Sequence, residues 1–478
     1  MTTTSVDEQS RWKRSLRWLE RPIDAAGLGV MRALLGVLLI VGTVRFMAQG
    51  WVPRLYEEPS YFFKYWGFSW VKTWPLWGMY LHYSALVGLA VLIAIGLYCR
   101  TALAAFALLF SYVQLIDVTN YLNHYYLLFL LLVILAFLPG TRVFSIDAWR
   151  NPEKVSGTVP AWHIYVLRFQ LAVVYFFAAL AKIGPDWLRY GQPLGIWLGA
   201  RSDLPLIGPL LQWPHAPLAF AWGGFLYDLT IVAWLSWRRT RVLAYLTVLV
   251  FHGLTSMLFD IGMFPGIMII GTTVFFQPAW PRRTFLHRWL PRLPETRAPA
   301  MSPPSAMGPR WRWTFVAVAC HVVLQLGLPL RHWIYPGDVL WGEQGMRWSW
   351  RVMVREKDGA VQYRVRQRRT GREWLASPHD YLTWRQAHEM SGQPDLILQL
   401  AHHIGADFKR RGFEDIEVFA DVKVSLNGRA AAPLIDPNLD LLQIVDGVTP
   451  ATYLLPPPNS APLHPKGMTT WMAKDSDS

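Results

Sequence analysis

The sequence is poor in cysteine and in charge. It contains two cysteines in 478 residues, Cys99 and Cys320, which excludes a disulfide scaffold, a multi-cysteine zinc site and an iron–sulfur cluster. Charged residues make up 16% of the chain, against about a quarter in an average soluble domain, so an ordinary cytosolic enzyme is excluded. A P-loop, a dinucleotide-binding glycine fingerprint and the HExxH and GxSxG motifs are also missing.

Apolar and basic residues fill the chain instead. Hydrophobic residues account for 53% of it, and 26 tryptophans argue against a disordered or fibrous protein. The net charge of +14 belongs to residues 1–330, which hold 28 basic and 14 acidic side chains, whereas residues 331–478 hold 18 of each. Because the basic residues lie between apolar segments, they indicate a protein of the lipid bilayer and not a nucleic-acid binder.

Nine segments have the length and composition of membrane spans. We therefore predict an all-α polytopic membrane bundle of about nine spans, followed by a small α+β extracytoplasmic domain. The predicted spans are residues 24–48, 75–98, 101–117, 121–139, 160–183, 216–237, 240–258, 262–278 and 313–330.

The positions of Lys and Arg predict the orientation. With a cytoplasmic N-terminus, the inside segments carry 19 basic residues and the outside loops carry 6, as the positive-inside rule requires. The predicted organisation is a basic cytoplasmic N-terminus (1–23), a transmembrane domain with eight spans (24–280), a Pro/Arg-rich cytoplasmic linker (281–312), the last span (313–330), an extracytoplasmic α+β domain (331–455) and a flexible tail (456–478).

Short patterns predict the elements of the soluble domain. Ser349–Glu356 and Ala360–Gln367 alternate apolar and polar residues, and the intervening Lys357-Asp358-Gly359 favours a hairpin turn. Residues 395–412 have helical spacing and end at a glycine. Residues 417–426 form another predicted strand, which Asn427-Gly428 would end in a tight turn.

Lys182 is the ionisable residue of greatest interest in the apolar part. It follows Tyr175 by seven residues on one face of a predicted helix that stops at Gly184-Pro185. Burial there disfavours the charged form of the amine, and a neutral amine near a quinol would accept a proton. The alternative is a lysine that snorkels to water and pairs with Asp186.

Other polar groups also lie at membrane depth. Asn120, Asn123 and His124 form a cluster that would bind a quinone oxygen or a developing oxyanion; the alternative is that Asn120 or Asn123 caps a helix and the histidine is satisfied by hydrogen bonds. For His252 and Asp228, interhelical hydrogen bonds are the alternative to a functional role. The tryptophans from Trp341 to Trp350 either bind a ligand or pack at the level of the lipid headgroups.

At these residues the sequence resembles the vitamin K-dependent gamma-glutamyl carboxylase family. The similar blocks are Arg21–Val30, Asn123-His124-Tyr125, Val174–Trp187, Phe251–Phe264, Gln277–Arg282, Trp348–Val354, Arg369–Arg372 and Val424–Pro437.

The resemblance implies a chemistry. Reduced vitamin K, with menaquinol as another candidate quinol, is deprotonated and reacts with O₂. The resulting strong base removes a γ proton from a peptide glutamate, which then takes up CO₂, and the quinol ends as the epoxide. No metal is implied. The resemblance assigns Lys182 as the base and Asn123 and His124 as its catalytic helpers.

We further expect quinol binding by His252, Tyr175 and Asn120. Trp350, Trp348 and Arg355 are the candidate residues for binding a glutamate-containing peptide or protein. Two alternatives are a quinol epoxidase, or other quinol-dependent enzyme, acting on a different substrate, and a non-catalytic membrane binder or transporter.

Overall fold

The structure, a computed structural model, describes residues 18–205, 207–284, 309–445 and 447–462. Most of the predicted N-terminal segment 1–23, of the predicted linker 281–312 and of the predicted tail 456–478 lies outside the described residues.

Each predicted span coincides with a helix in the described part of the chain. Their bounds are α1 Ala26–Ala48, α2 Leu76–Ile95, α3 Cys99–Gln114, α4 Asn123–Phe137, α5 Trp162–Ala181, α6 Ala216–Ser236, α7 Arg241–Leu258, α8 Phe264–Thr272 and α9 Pro309–Leu330.

Six of these helices, among the described residues, are long and apolar enough to cross a membrane: α1, α2, α5, α6, α7 and α9, the last continuing through a 3₁₀ turn to Ile334. The other three, α3, α4 and α8, are apolar but shorter. A span needs about 20 residues because the apolar core of a bilayer is about 30 Å thick and each residue lengthens a helix by about 1.5 Å. The molecule is therefore a helical membrane protein with six candidate spans, and nine spans stay a prediction.

Close packing joins the first two helices. Gly36 of α1 lies so near α2 that a Cβ atom there would stand 2.4 Å from the Ala94 nitrogen. Small residues allow such an approach of two membrane helices. Helix α4 is apolar on all sides, and eight of its leucine, isoleucine and alanine residues are buried within the bundle.

The C-terminal region contains a small antiparallel sheet and two helices, which agrees with the predicted α+β domain. The sheet order is β4-β3-β5-β6. The bounds are β3 Lys357–Gln367, β4 Glu373–Ala376, α10 Trp384–Ser391, α11 Pro394–Arg410, β5 Ile416–Leu426 and β6 Ala432–Pro433. The predicted helix and the predicted strand at residues 417–426 are confirmed, as is the turn at Asn427-Gly428, where both residues have positive φ.

The predicted hairpin turn at Lys357-Asp358-Gly359 is wrong. These residues begin β3 and pair with Leu426, Ser425 and Val424 of β5. Position 359 requires a glycine because the backbone of Ser391 lies close to it: a Cβ atom there would stand 2.5 Å from the Ser391 carbonyl oxygen. Lys357 is buried and donates hydrogen bonds to Trp341 O and Glu343 Oε1, and burial lowers the pKa of its amine. Distant partners therefore decide the conformation of this segment.

Shorter elements connect the main ones. Strand β1 (Pro22–Asp24) pairs with β2 (Thr158–Pro160), tying the start of α1 to the start of α5. The short helices are Trp51–Tyr56, Ile146–Arg150, Pro185–Leu188, Leu194–Gly199, Gly208–Leu211, Trp280–Arg283 and Val339–Gly342. The 3₁₀ turns are Val118–Asn120, Pro139–Arg142, Pro152–Lys154, Thr273–Phe275, Arg331–Ile334, Pro378–Asp380 and Leu441–Gln443.

Candidate active site

Lys182 directly follows helix α5 and is buried, with 7% of its surface exposed. Its Nζ donates a hydrogen bond of 2.7 Å to Asp228 Oδ2 on helix α6, and a second one of 3.2 Å to Ala178 O. The alternative in which Lys182 snorkels to water and pairs with Asp186 is therefore wrong. Both side chains of this ion pair are buried, so each serves as the other's charged partner inside the bundle.

A turn of chain after Lys182 forms one side of its surroundings. Gly184 has an extended backbone and begins the short helix Pro185–Leu188. Trp187 in that helix donates through Nε1 to Ala221 O, 2.8 Å away on α6, and its ring centroid lies 5.2 Å from Lys182 Nζ. An aromatic face at this distance attracts an ammonium group. Helices α5 and α6 are thus joined on both sides of the lysine.

Three aromatic side chains form a second polar group beside the ion pair. Tyr175 OH lies 3.2 Å from His252 Nε2 of α7 and 3.3 Å from Tyr227 OH of α6. Within the described residues, the buried Nδ1 of His252 has no hydrogen-bond partner. The predicted interhelical hydrogen bonds of His252 and Asp228 are confirmed, and they leave one ring nitrogen of His252 available to a ligand.

The two groups share one cavity, which we name the membrane cavity. It encloses about 100 Å³ and is lined by Lys182, Asp228, Tyr175 and His252 together with mostly apolar side chains of α5, α6, α7 and α8. Two residues of the soluble domain, Val352 and Met353, complete the wall. The wall around the buried ion pair is therefore mostly apolar.

Asn123 and His124 lie at the start of α4 and do not line the membrane cavity. His124 is buried, and its Nε2 has no partner among the described residues. The ring of Phe264 neighbours both histidines, with its centroid 6.1 Å from that of His124 and 5.7 Å from that of His252. The structure therefore brings Lys182, Tyr175 and His252 together at the cavity wall, and His124 lies outside it.

The loop before α4 docks on the soluble domain. Arg385 of α10 donates to the Asn120 side chain and to Thr119 Oγ1, and Gln386 Nε2 lies 2.7 Å from Asp117 Oδ2. Asn123 Nδ2 is 3.4 Å from Arg351 O. Asp117 caps the 3₁₀ turn, and neither asparagine caps α4 through its side chain, so the capping alternative is wrong. Asn120 therefore bonds to the soluble domain and not to the membrane cavity.

The predicted substrate-binding residues separate. Trp350 is 1% exposed and packs in the membrane core, where its ring stacks on Tyr126 of α4 at 5.0 Å. Trp348 is partly buried, with Arg331 above its ring, and Arg355 forms an ion pair of 3.0 Å with Glu343. Trp348, Trp350 and Met353 have φ values between 53° and 59°, an uncommon conformation for bulky residues. This segment is irregular where a strand was predicted, because Trp350 inserts into the bundle.

A larger cavity lies on the soluble side of the same segment. It encloses about 630 Å³ and is lined by Trp348 and by charged side chains that include Lys64, Arg331, Glu343, Arg347 and Asp395. We name it the soluble-domain pocket. The chain from Trp348 to Met353 thus runs from the wall of this pocket to the wall of the membrane cavity.

The sequence interpretation did not single out Tyr227 and Trp187, and it considered Asp228 without pairing it with Lys182. A signal was present for Asp228, since an acidic residue inside an apolar span requires a partner. Lys182 is 46 residues away along the chain, and the packing of α5 on α6 brings the two side chains together.

Comparison with known families agrees with the architecture. Residues 20–280, more than half of the chain, match the family model described as the HTTM domain, and residues 310–460 match the model described as the lumenal domain of vitamin K-dependent gamma-carboxylase. The chain belongs to the vitamin K-dependent gamma-carboxylase family. It is a multi-pass membrane protein whose C-terminal domain is the lumenal domain of that family. No solved structure matches the chain.

Proposed function

We propose that this chain is an integral membrane enzyme that uses reduced vitamin K, O₂ and CO₂ to form the quinol epoxide and to carboxylate glutamate at its γ carbon. Menaquinol is the other candidate quinol. One observation carries the proposal: a buried lysine, paired with a buried aspartate, lines an apolar cavity in a chain of this family. The N-terminus is cytoplasmic in this proposal.

Lys182 and Asp228 act as one base. From the ion pair of ammonium and carboxylate, Lys182 gives a proton to Asp228 Oδ2, 2.7 Å away, and the neutral amine so formed takes the proton of the quinol hydroxyl. The electron pair of the broken O–H bond stays on the quinol oxygen, and the dyad ends as an ammonium group beside a neutral carboxyl. The short distance between the amine and the carboxylate supports this assignment, since a proton can pass between them directly.

The other residues of the membrane cavity fit an aromatic diol. His252 Nδ1 would bind the second quinol oxygen, and Tyr175 would fix the ring of His252 through its bond to Nε2. The apolar walls suit a lipid-soluble molecule that enters from the bilayer. A cavity of about 150 Å³ holds a single benzene, so a wall side chain such as Met353 must move for the smaller membrane cavity to accept a quinol.

Asn123 and His124 would assist the reaction with O₂. A rotation of Phe264 would open His124 to the membrane cavity, since that ring neighbours both histidines. The glutamate-containing peptide would bind in the soluble-domain pocket, where Arg331 and Trp348 offer a cation and an aromatic face.

The test is a reaction of the purified protein with reduced vitamin K, O₂, labelled CO₂ and a short glutamyl peptide. We expect epoxide and labelled peptide from the native protein. Lys182→Ala should reduce both by at least about a hundredfold, because general-base catalysis supplies a factor of that order.

Two results would decide against the proposal. Full epoxide yield from inserted Lys182→Ala would refute the base, and absence of epoxide from the native protein would favour a binder or transporter. Epoxide without labelled peptide would instead indicate a quinol epoxidase with a different substrate.

A further inference from the structure

A turn of the soluble domain binds the side chain of Asp186, four residues after Lys182. The turn is Asn427-Gly428-Arg429, which follows β5. Arg429 makes a bidentate ion pair with Asp186, with Nη2 2.5 Å from Oδ1 and Nη1 2.7 Å from Oδ2. Both side chains are 14% exposed. Asn427 Nδ2 adds a hydrogen bond of 2.9 Å to Asp186 Oδ2.

The turn itself is held rigidly. Asn427 is fully buried and exchanges two hydrogen bonds of 2.8 Å with the backbone of Glu356, one through its backbone nitrogen and one through Oδ1. The Glu356 carboxylate in turn accepts a bond of 2.6 Å from Trp197 Nε1, and Trp197 lines the membrane cavity. The turn is therefore connected to the cavity wall by two separate routes.

Asp186 transmits the contact toward Lys182. It belongs to the short helix Pro185–Leu188, whose next residue, Trp187, lies against the lysine amine and bonds to α6. Between Lys182 and this helix stands Gly184, where a Cβ atom would meet no neighbour within 4 Å. Local packing at Gly184 thus does not fix the angle between α5 and the short helix, and the contacts of Asp186 and Trp187 must do so.

The ion pair also removes a competitor. Asp186 is the first acidic residue after Lys182 in the chain, four residues further on. With both oxygens of Asp186 bound to Arg429, the amine of Lys182 pairs with Asp228 instead.

We infer that Arg429 and Asn427 of the soluble domain are positioning residues for the Lys182–Asp228 base: through Asp186 they fix the short helix that covers the amine. The inference rests on the proposed function only for its kinetic readout. A bidentate charged contact defines geometry as well as charge, and a small misplacement of a catalytic group reduces the turnover rate strongly.

The experiment compares Arg429→Ala, Arg429→Lys and Asp186→Asn in the full-length protein. Steady-state quinol oxygenation should show kcat reduced about tenfold in Arg429→Ala and Asp186→Asn, with the KM for quinol changed less than about twofold. Arg429→Lys keeps the positive charge but cannot make two parallel hydrogen bonds to Asp186. Its kcat should therefore lie between those of Arg429→Ala and the native protein. Arg429 also donates a hydrogen bond to Ser460 O. Asp186→Asn leaves that contact intact and therefore tests the ion pair alone.

A second readout does not need activity. The rate at which an amine-reactive reagent modifies Lys182, measured by mass spectrometry, should rise several-fold in Arg429→Ala and Asp186→Asn because the covering helix is released. Arg364→Ala is the matched control: it breaks an ion pair of 2.7 Å with Glu373 that stays within the soluble domain. It should change neither readout.

Unchanged kcat together with an unchanged labelling rate of Lys182 in the folded Arg429 and Asp186 variants would overturn the inference. Equal effects in Arg364→Ala would do the same, since they would show a general loss of domain stability. If the native protein does not oxidise quinol, the labelling rates still decide the inference, while the proposed function fails separately.

Discussion

The membrane cavity and the soluble-domain pocket lie on opposite sides of one short segment and differ in size and chemistry. The membrane cavity encloses about 100 Å³ and has a single buried ion pair in a mostly apolar wall. The soluble-domain pocket encloses about 630 Å³ and exposes several charged side chains. One segment therefore separates a small, mostly apolar cavity with one buried ion pair from a larger cavity lined by charged side chains.

The separating segment belongs to the soluble domain but is anchored in the bundle. Trp350 packs in the membrane core, while Trp348 lines the pocket and Met353 lines the cavity. Left-handed backbone at all three residues is strain that the surrounding packing must offset. Changes on the two sides of this segment should therefore affect different kinetic constants.

The largest effect is expected on the side of the membrane cavity. Asp228→Asn removes the final proton acceptor of the base and should reduce kcat for quinol oxygenation by about 10² to 10⁴. The measurement is epoxide formation as a function of pH. Asp260→Asn is the control, since Asp260 pairs with Arg201 at the protein surface.

One outcome for Asp228→Asn would contradict the paired base. If Asp228→Asn kept its rate and its pH–rate profile moved to lower pH, Lys182 alone would be the base and the dyad would be wrong.

An intermediate effect is expected where the membrane cavity is filled. A Cβ atom on Gly224 of α6 would meet Trp187 at 3.8 Å, and Gly224 lines the cavity, so Gly224→Leu should occupy space needed by the quinol. We expect its KM for quinol to rise about tenfold, a loss of roughly 1.4 kcal/mol in binding.

The neighbouring glycine supplies the control. Gly223 has open space around its Cβ position and is exposed on the other side of α6. We expect Gly223→Leu to change the KM for quinol by less than about twofold, because Gly223 does not line the membrane cavity. Equal KM values for the two leucine variants would mean that the quinol binds elsewhere.

The smallest effect is expected in the soluble-domain pocket. Arg331→Ala removes a cation above the Trp348 ring and should raise the KM for the glutamyl peptide about fivefold, a change of roughly 1 kcal/mol. Quinol oxygenation without peptide should not change. A matching loss in both reactions would show that the two cavities do not have separate functions.

The sequence was sufficient for the membrane helices that carry the site. Uninterrupted apolar runs located α5, α6 and α7, because a long run of apolar side chains is stable in a bilayer only as a helix. Gly184-Pro185 likewise located the end of α5 and hence Lys182. In the soluble domain, the spacing over residues 395–412 located α11, since its apolar face repeats with the period of a helix.

The same reasoning failed where distant contacts override local pattern. Lys357-Asp358-Gly359 has the residues of a turn but is strand, because β5 offers a partner for each residue and Lys357 has buried acceptors. Ser349–Glu356 alternates like a strand, yet the insertion of Trp350 into the bundle leaves it irregular.

The sequence by itself determined the apolar helices, the soluble domain and the presence of one lysine at the end of a membrane helix. Only the tertiary structure decided which acid that lysine meets. Asp186 is four residues away in the chain but is bound by Arg429, 243 residues further on, while Asp228 reaches the amine because α6 packs on α5. Ion pairing depends on distance in space, which local sequence does not encode for side chains on separate helices.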